Sequence, residues 1–210
     1  FFALQAVARA PQLFHAYIGM GQMTYQLKSE MLAYDYMLEQ YQARGDGAML
    51  KKLANAAPNL DGPLPRAYDQ IRDDAMHSLG IGTTRDMKSI VSGVFFPSLL
   101  TPQFTLSEKI NLWRGKIFAQ KMLRDVVFTT DLTQQITKLD LPVYFFMGKY
   151  DYTCSYVLAK AYLESLEAPL KGFYTFEQSA HSPFFEEPER VRLVLHEDVL
   201  TGTHQLADKK

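Results

Sequence analysis

The sequence predicts an α/β fold, with parallel strands near both ends of the chain and an all-helical insertion between them. Three features carry that prediction. Leu13-Phe14-His15-Ala16-Tyr17-Ile18-Gly19 is a short aromatic and β-branched run closed by glycine, the composition of a buried strand. From about residue 22 to residue 131 the apolar residues recur at helical spacing, in stretches broken by Gly and Pro. Beyond Leu139 the order becomes strand, helix, strand, helix, the pattern of a sheet covered by helices.

Taken in order, Phe1 to Ala10 carries Ala and Leu with no breaker before Pro11 and suits the end of a buried helix. After the first strand, Met23 to Ala43 is an amphipathic helix stopped by Gly45-Asp46-Gly47, and Ala48 to Ala57 is a second one stopped at Pro58. A loop from Asn59 to Pro65 leads to a third helix, Arg66 to Leu79, ended by Gly80. Thr105-Leu106-Ser107-Glu108 has the form of a capping box, and Leu106, Ile110, Trp113 and Ile117 follow at helical spacing. Leu141 to Gly148 is a continuous apolar run with Pro142 near its start, where a strand tolerates it. Leu158, Ala161, Tyr162, Ser165 and Leu166 mark the buried stripe of the next helix. Lys171 to Phe176 is a further strand, and Pro188 opens a last helix with Val191, Val194, Leu195 and Val199 at 3–4 spacing. The tail Thr201 to Lys210 is polar and expected to fray. The expected division is residues 1–21 and 132–210 as two parts of one sheet-bearing core, with residues 22–131 as the helical insertion.

Composition narrows the function. The 210 residues hold 22 Lys+Arg against 23 Asp+Glu, which leaves no basic footprint for a phosphate backbone and argues against nucleic acid. One cysteine excludes an intrachain disulfide framework and a multi-Cys metal site, and suits the reducing cytoplasm. No run approaches the ~18 apolar residues of a membrane span, so no membrane partner is expected. The chain starts on Phe1-Phe2-Ala3-Leu4 without Met, and its first basic residue is Arg9; that lacks the basic lead of a signal peptide and reads like the middle of a longer sequence.

Chemistry is expected at the carboxyl ends of the strands, because parallel strands deliver their following loops to one edge of the sheet. Asp151 follows one strand and His181 follows the next. A carboxylate beside an imidazole fixes its tautomer and stabilises the imidazolium of a general base. Each residue also has an ordinary reading: Asp151 as the cap of the next helix, His181 as a loop histidine.

Gly148-Lys149-Tyr150-Asp151 after a Pro-led strand, then Ser179-Ala180-His181-Ser182-Pro183-Phe184-Phe185-Glu186-Glu187-Pro188-Glu189-Arg190-Val191, resembles the C-terminal portion of an α/β-hydrolase. Within that superfamily it is similar to the capped serine hydrolases of the proline iminopeptidase type. The resemblance implies a Ser-His-Asp triad with Asp151 as acid and His181 as base, and a helical insertion that serves as the cap over the site. It departs from the family in one respect. The nucleophile of such enzymes sits in Gly-x-Ser-x-Gly at a tight strand–helix turn, and no such segment is present; Ser92-Gly93 lies in the insertion and Gly19-Met20-Gly21 has no serine. By the family order, that serine is expected upstream of Phe1.

The expected function is therefore a serine hydrolase of amide or ester bonds, proline iminopeptidase-like, acting on a small molecule or short peptide. The alternative is a non-catalytic hydrolase-like fragment or pseudoenzyme that serves as a binding or assembly module. In either case a partner is expected to cover the open sheet edge, either the missing N-terminal half or a second copy. No cofactor and no metal are expected, since His15 and His77 lack His or Cys partners at ligand spacing. Cys154, three residues after Asp151, reads as a small buried side chain rather than a substitute nucleophile. Glu30, Asp35 and Glu39 read as a solvated helix face, with capture of a substrate amine as the functional alternative that the family resemblance offers.

Overall fold

A computed structural model of the chain describes residues 1–58 and 63–209. Residues 59–62 of the predicted loop and residue 210 of the predicted tail lie outside the described part.

Three parallel strands, β1 (Tyr17–Met20), β2 (Val143–Gly148) and β3 (Lys171–Phe176), form one sheet in the order β1-β2-β3. Gly19 lies opposite Phe145, and Phe145 opposite Phe173. All six residues of β2 are buried, as expected of a central parallel strand covered on both faces. Alternation divides them. Val143, Phe145 and Met147 pack with Leu4 and Val7 of α1 (Phe2–Arg9) and with Ala159, Tyr162 and Leu163 of α8 (Tyr156–Ser165). Tyr144 and Phe146, with Tyr174 and Phe176 of β3, pack on the other face against Val191 and Val194 of the helix Pro188–Val194.

Four expectations shift. The first strand starts at Tyr17 rather than Leu13, because Pro11–Leu13 is a 3-10 turn and pairing begins where the Tyr17 N–H reaches Pro142 O at 2.8 Å. Nor is β1 fully buried: with β2 on one side only, Ile18 is 37% exposed. The buried stripe of α8 is rotated by one residue, with Ala159 and Leu163 inward and Ala161 and Ser165 outward. Both stripes share Tyr162 and Leu166, and burial of Ala159 and Leu163 in the core under the sheet distinguishes the observed one. The tail does not fray. Buried Asp198 accepts hydrogen bonds from Tyr174 Oη and from the Gln205 and Leu206 N–H groups, each at 2.8 Å. Beyond it, Asp208 donates its N–H to Phe173 O at 2.8 Å and accepts from Thr175 N–H with its carboxylate, which covers the outer edge of β3.

Between β1 and β2 lies the helical cap: α2 (Gln26–Ala43), α3 (Gly47–Ala54), α4 (Arg66–Leu79), α5 (Phe96–Leu100) and α6 (Leu106–Thr129), followed by the short α7 (Leu132–Gln135). Local signals end these helices as the sequence indicates. Asp46 accepts the Met49 N–H at the start of α3, and Gly80 stops α4 with φ 69°, a conformation glycine adopts without the cost a Cβ imposes. Thr105 and Glu108 form the reciprocal capping box of α6. The cap has its own core, built from Leu27, Met37 and Tyr41 of α2, Leu53 of α3, and Tyr68 and Met76 of α4. Its two ends meet: Tyr25 bridges Asp131 in antiparallel fashion, and the Leu132 N–H donates to Thr24 O at 3.0 Å.

Candidate active site

The loops after β2 and β3 are joined before either reaches its polar residue. The Lys149 N–H donates to Phe176 O at 2.9 Å and the Tyr150 N–H to Ser179 O at 3.0 Å. Gly148 lies so close to the second loop that a Cβ there would overlap Ala180 O at 1.8 Å. This junction brings Asp151 and His181 together. Asp151 is buried, and its Oδ2 accepts from His181 Nδ1 at 3.0 Å. A carboxylate only accepts, so Nδ1 carries the proton and Nε2 is left as the basic nitrogen. Nε2 has no protein partner among the described residues. The two readings of Asp151 are compatible, since Oδ1 accepts the Cys154 N–H at 2.9 Å and caps the turn while Oδ2 orients the imidazole.

Burial lowers the proton affinity of His181, but the Asp151 carboxylate and its hydrogen bond outweigh it, so the imidazole titrates above its ordinary value. A base raised by a fixed carboxylate can take a proton from a hydroxyl and hold it as imidazolium.

The loop after β1 completes the site, a contribution the sequence reading missed. Gly21 adopts φ 55°, and a Cβ on it would stand 2.6 Å from His181 Cε1. Backbone conformation and the imidazole face each require glycine there. The signal available in the sequence was Gly19-Met20-Gly21 at a strand end, read only as the close of the strand.

The remaining candidates separate. Cys154 is buried, and burial followed by the nearby Asp151 charge pushes its thiol well above the ordinary range, so it supplies no thiolate. Glu30 corrects the expectation of a solvated face. It is fully buried, and its carboxylate is engaged by Arg72 Nε at 2.6 Å, Gln26 Nε2 at 2.8 Å and Tyr68 Oη at 3.3 Å. That ion pair ties α2 to α4, and with its hydrogen-bonding capacity used internally Glu30 has little left for a substrate amine. Asp35 and Glu39 are exposed; they flank a cavity of about 300 Å³ that also touches Asp151 and the stacked pair Tyr36–Tyr152, whose ring centroids are 4.2 Å apart. His15 is exposed, whereas His77 is buried and bonded to Asp73 O and Thr83. Ser179 Oγ donates to Glu187 at 2.6 Å within its own loop.

No protein-family model matches the chain. It is similar to a probable aminopeptidase, YbaC, of Bacillus subtilis, at 27% identity over 188 residues that cover 89% of this chain and 58% of that protein. A stretch of 53 residues, 25% of this chain and 20% of the relative, is 40% identical to putative esterase/lipase 1 of Mycoplasma genitalium. The chain thus spans little over half the length of the first relative and a fifth of the second. Among solved structures it is similar in fold to VinJ, with a TM-score of 0.51 at 15% identity, over 94% of this chain and 61% of that one. The parallel sheet and the helical cap inserted after β1, with the likeness to VinJ, are those of a partial α/β-hydrolase fold.

Proposed function

We propose that this chain supplies the acid and base of a serine hydrolase that cleaves amide or ester bonds by acyl transfer. The observation that carries the reading is the Asp151–His181 pair at the ends of adjacent strands, hydrogen-bonded through Nδ1, with no partner for Nε2 among the described residues. In this reading Asp151 orients the imidazole. His181 takes the proton of a serine hydroxyl as that oxygen attacks the carbonyl carbon, and then returns it to the departing amine or alcohol. The serine belongs to a Gly-x-Ser-x-Gly segment outside these 210 residues, and residues 22–131 roof the substrate. The names of the two relatives, an aminopeptidase and an esterase/lipase, support an amide or ester of a small molecule or short peptide, with proline iminopeptidase-like specificity as the finer proposal. A cytoplasmic setting is proposed from the single cysteine.

The test is hydrolysis of chromogenic esters and of N-terminal prolyl amides by the intact protein that contains this chain. Turnover that falls about 10⁴-fold in Asp151→Asn supports the reading, and turnover unchanged in that variant contradicts it. The absence of Gly-x-Ser-x-Gly favours a second reading, a non-catalytic binding or assembly module. An Ala or Gly at the serine position of that motif in the intact protein would select it.

A further inference from the structure

The cap enters the site through the turn that follows α4. The Ile81 carbonyl accepts the Tyr152 N–H at 3.3 Å, beside Asp151, and the Gly82 carbonyl accepts the N–H of His181 itself at 3.2 Å. His77 holds this turn from the cap side. Its Nδ1–H donates to Asp73 O at 2.6 Å, Nε2 accepts the Thr83 N–H at 3.3 Å, and a Cβ on Gly82 would lie 2.8 Å from the His77 ring. Arg85 places its guanidinium 3.5 Å from the Tyr150 ring centroid, a cation–π contact with the loop that carries Asp151. The Arg85 backbone N–H then donates to Glu186 Oε1 at 2.6 Å, while Glu186 Oε2 accepts the Ala180 N–H at 2.9 Å.

We propose that Glu186 is a positioning residue that transmits the placement of the cap to His181, its carboxylate spanning the Arg85 N–H of the cap and the Ala180 N–H next to the histidine. This rests on the reading of His181 as the catalytic base. A carboxylate suits the task because both of its ends accept, and hydrogen bonds to an ionised acceptor are the stronger kind. Glutamine offers one acceptor and one donor, and so meets only one of the two N–H groups. Aspartate keeps the charge but is one methylene too short to span them. Neighbouring Glu187 plays a different part: it accepts the Gln178 N–H at 3.0 Å and Ser179 Oγ–H at 2.6 Å, which braces the histidine loop without reaching the cap. A cap displaced by a substrate therefore moves the imidazole through Gly82 and Glu186 together.

The test compares Glu186→Gln and Glu186→Asp with wild type in the intact protein, by ester or amide turnover across pH, thermal melting, and titration of the His181 ring followed by NMR. Asp151, Glu186 and Arg72 are the charged groups that act on this imidazole, so loss of one carboxylate is readable in its titration. Both variants are expected to lose about 10- to 100-fold in kcat with KM and melting temperature near wild type, since small misplacements of a reacting group cost rate at that scale. Only Glu186→Gln lowers the midpoint of the His181 titration, because Glu186→Asp retains the charge. Wild-type kcat in Glu186→Asp, or a loss of kcat accompanied by a matching loss of thermal stability, overturns the proposal. If the wild-type protein neither hydrolyses nor acylates, the reading of His181 as base fails instead; the NMR spectra then decide the coupling alone, and a His181 ring unmoved in both variants overturns it.

Discussion

Asp151 and His181 make predictions that need only a titration. Because the folded imidazole titrates above its ordinary value of ~6.5, with burial opposing and the Asp151 carboxylate prevailing, it is the neutral base only at higher pH. The acidic limb of kcat/KM for the intact protein is therefore expected above that ordinary value, and a limb at or below it contradicts the assignment. Stability has the opposite sense. A raised histidine contributes stabilisation that is complete below its unfolded value and is lost as pH rises through its folded value. Asp198 shows the converse. Burial pushes its carboxyl up, but hydrogen bonds from Leu206 N–H, Tyr174, Thr203 and Gln205 N–H prevail and hold it below the usual range. Its contribution is present above the unfolded carboxylate value and lost as pH falls through the folded one. Asp198→Ala leaves the buried Tyr174 hydroxyl and three part-buried donors without their acceptor, so chemical denaturation should record a loss of about 1–3 kcal/mol.

Among the elements, the join between α2 and α4 has the sharpest energetic consequence. Arg72→Ala would strand the Glu30 carboxylate in a fully buried position, at a cost of about 3–5 kcal/mol, the range for removing one partner of a buried pair. A melting temperature unchanged in that variant would show that the pair is dispensable. This pair also marks where sequence reasoning stopped. Helix starts and stops were legible because their causes are local: Gly80 after α4, Thr105 with Glu108 at α6, and Pro142 ahead of β2 each act within a few residues. Asp151 and His181 were legible because each directly follows a strand. Glu30 looked like a solvated residue because its partner lies 42 positions away, and Gly21 looked like a mere strand end because the ring it accommodates arrives from residue 181. The rotation of α8 was undecidable locally, since two stripes sharing Tyr162 and Leu166 satisfied the same period until the sheet selected one.

Over the whole molecule the sheet has two outer edges, treated differently. The edge of β3 is occupied by Asp208, whereas among the described residues β1 pairs only with β2 and its other side is open. On the cap, α6 presents Ile117, Phe118 and Met122 at 60% exposure or more. An open strand edge together with apolar surface drives association, so the 210-residue chain by itself is expected to run as dimers or larger species in light scattering; a monodisperse monomer that melts cooperatively would contradict this. The central claim, that the cap and partial sheet hold the acid and base of an acyl-transfer site, is tested most directly by labelling the intact protein with a fluorophosphonate probe. The expected result is covalent labelling of one serine in wild type and its loss in His181→Ala with the fold retained. Undiminished labelling and turnover in His181→Ala would contradict the account.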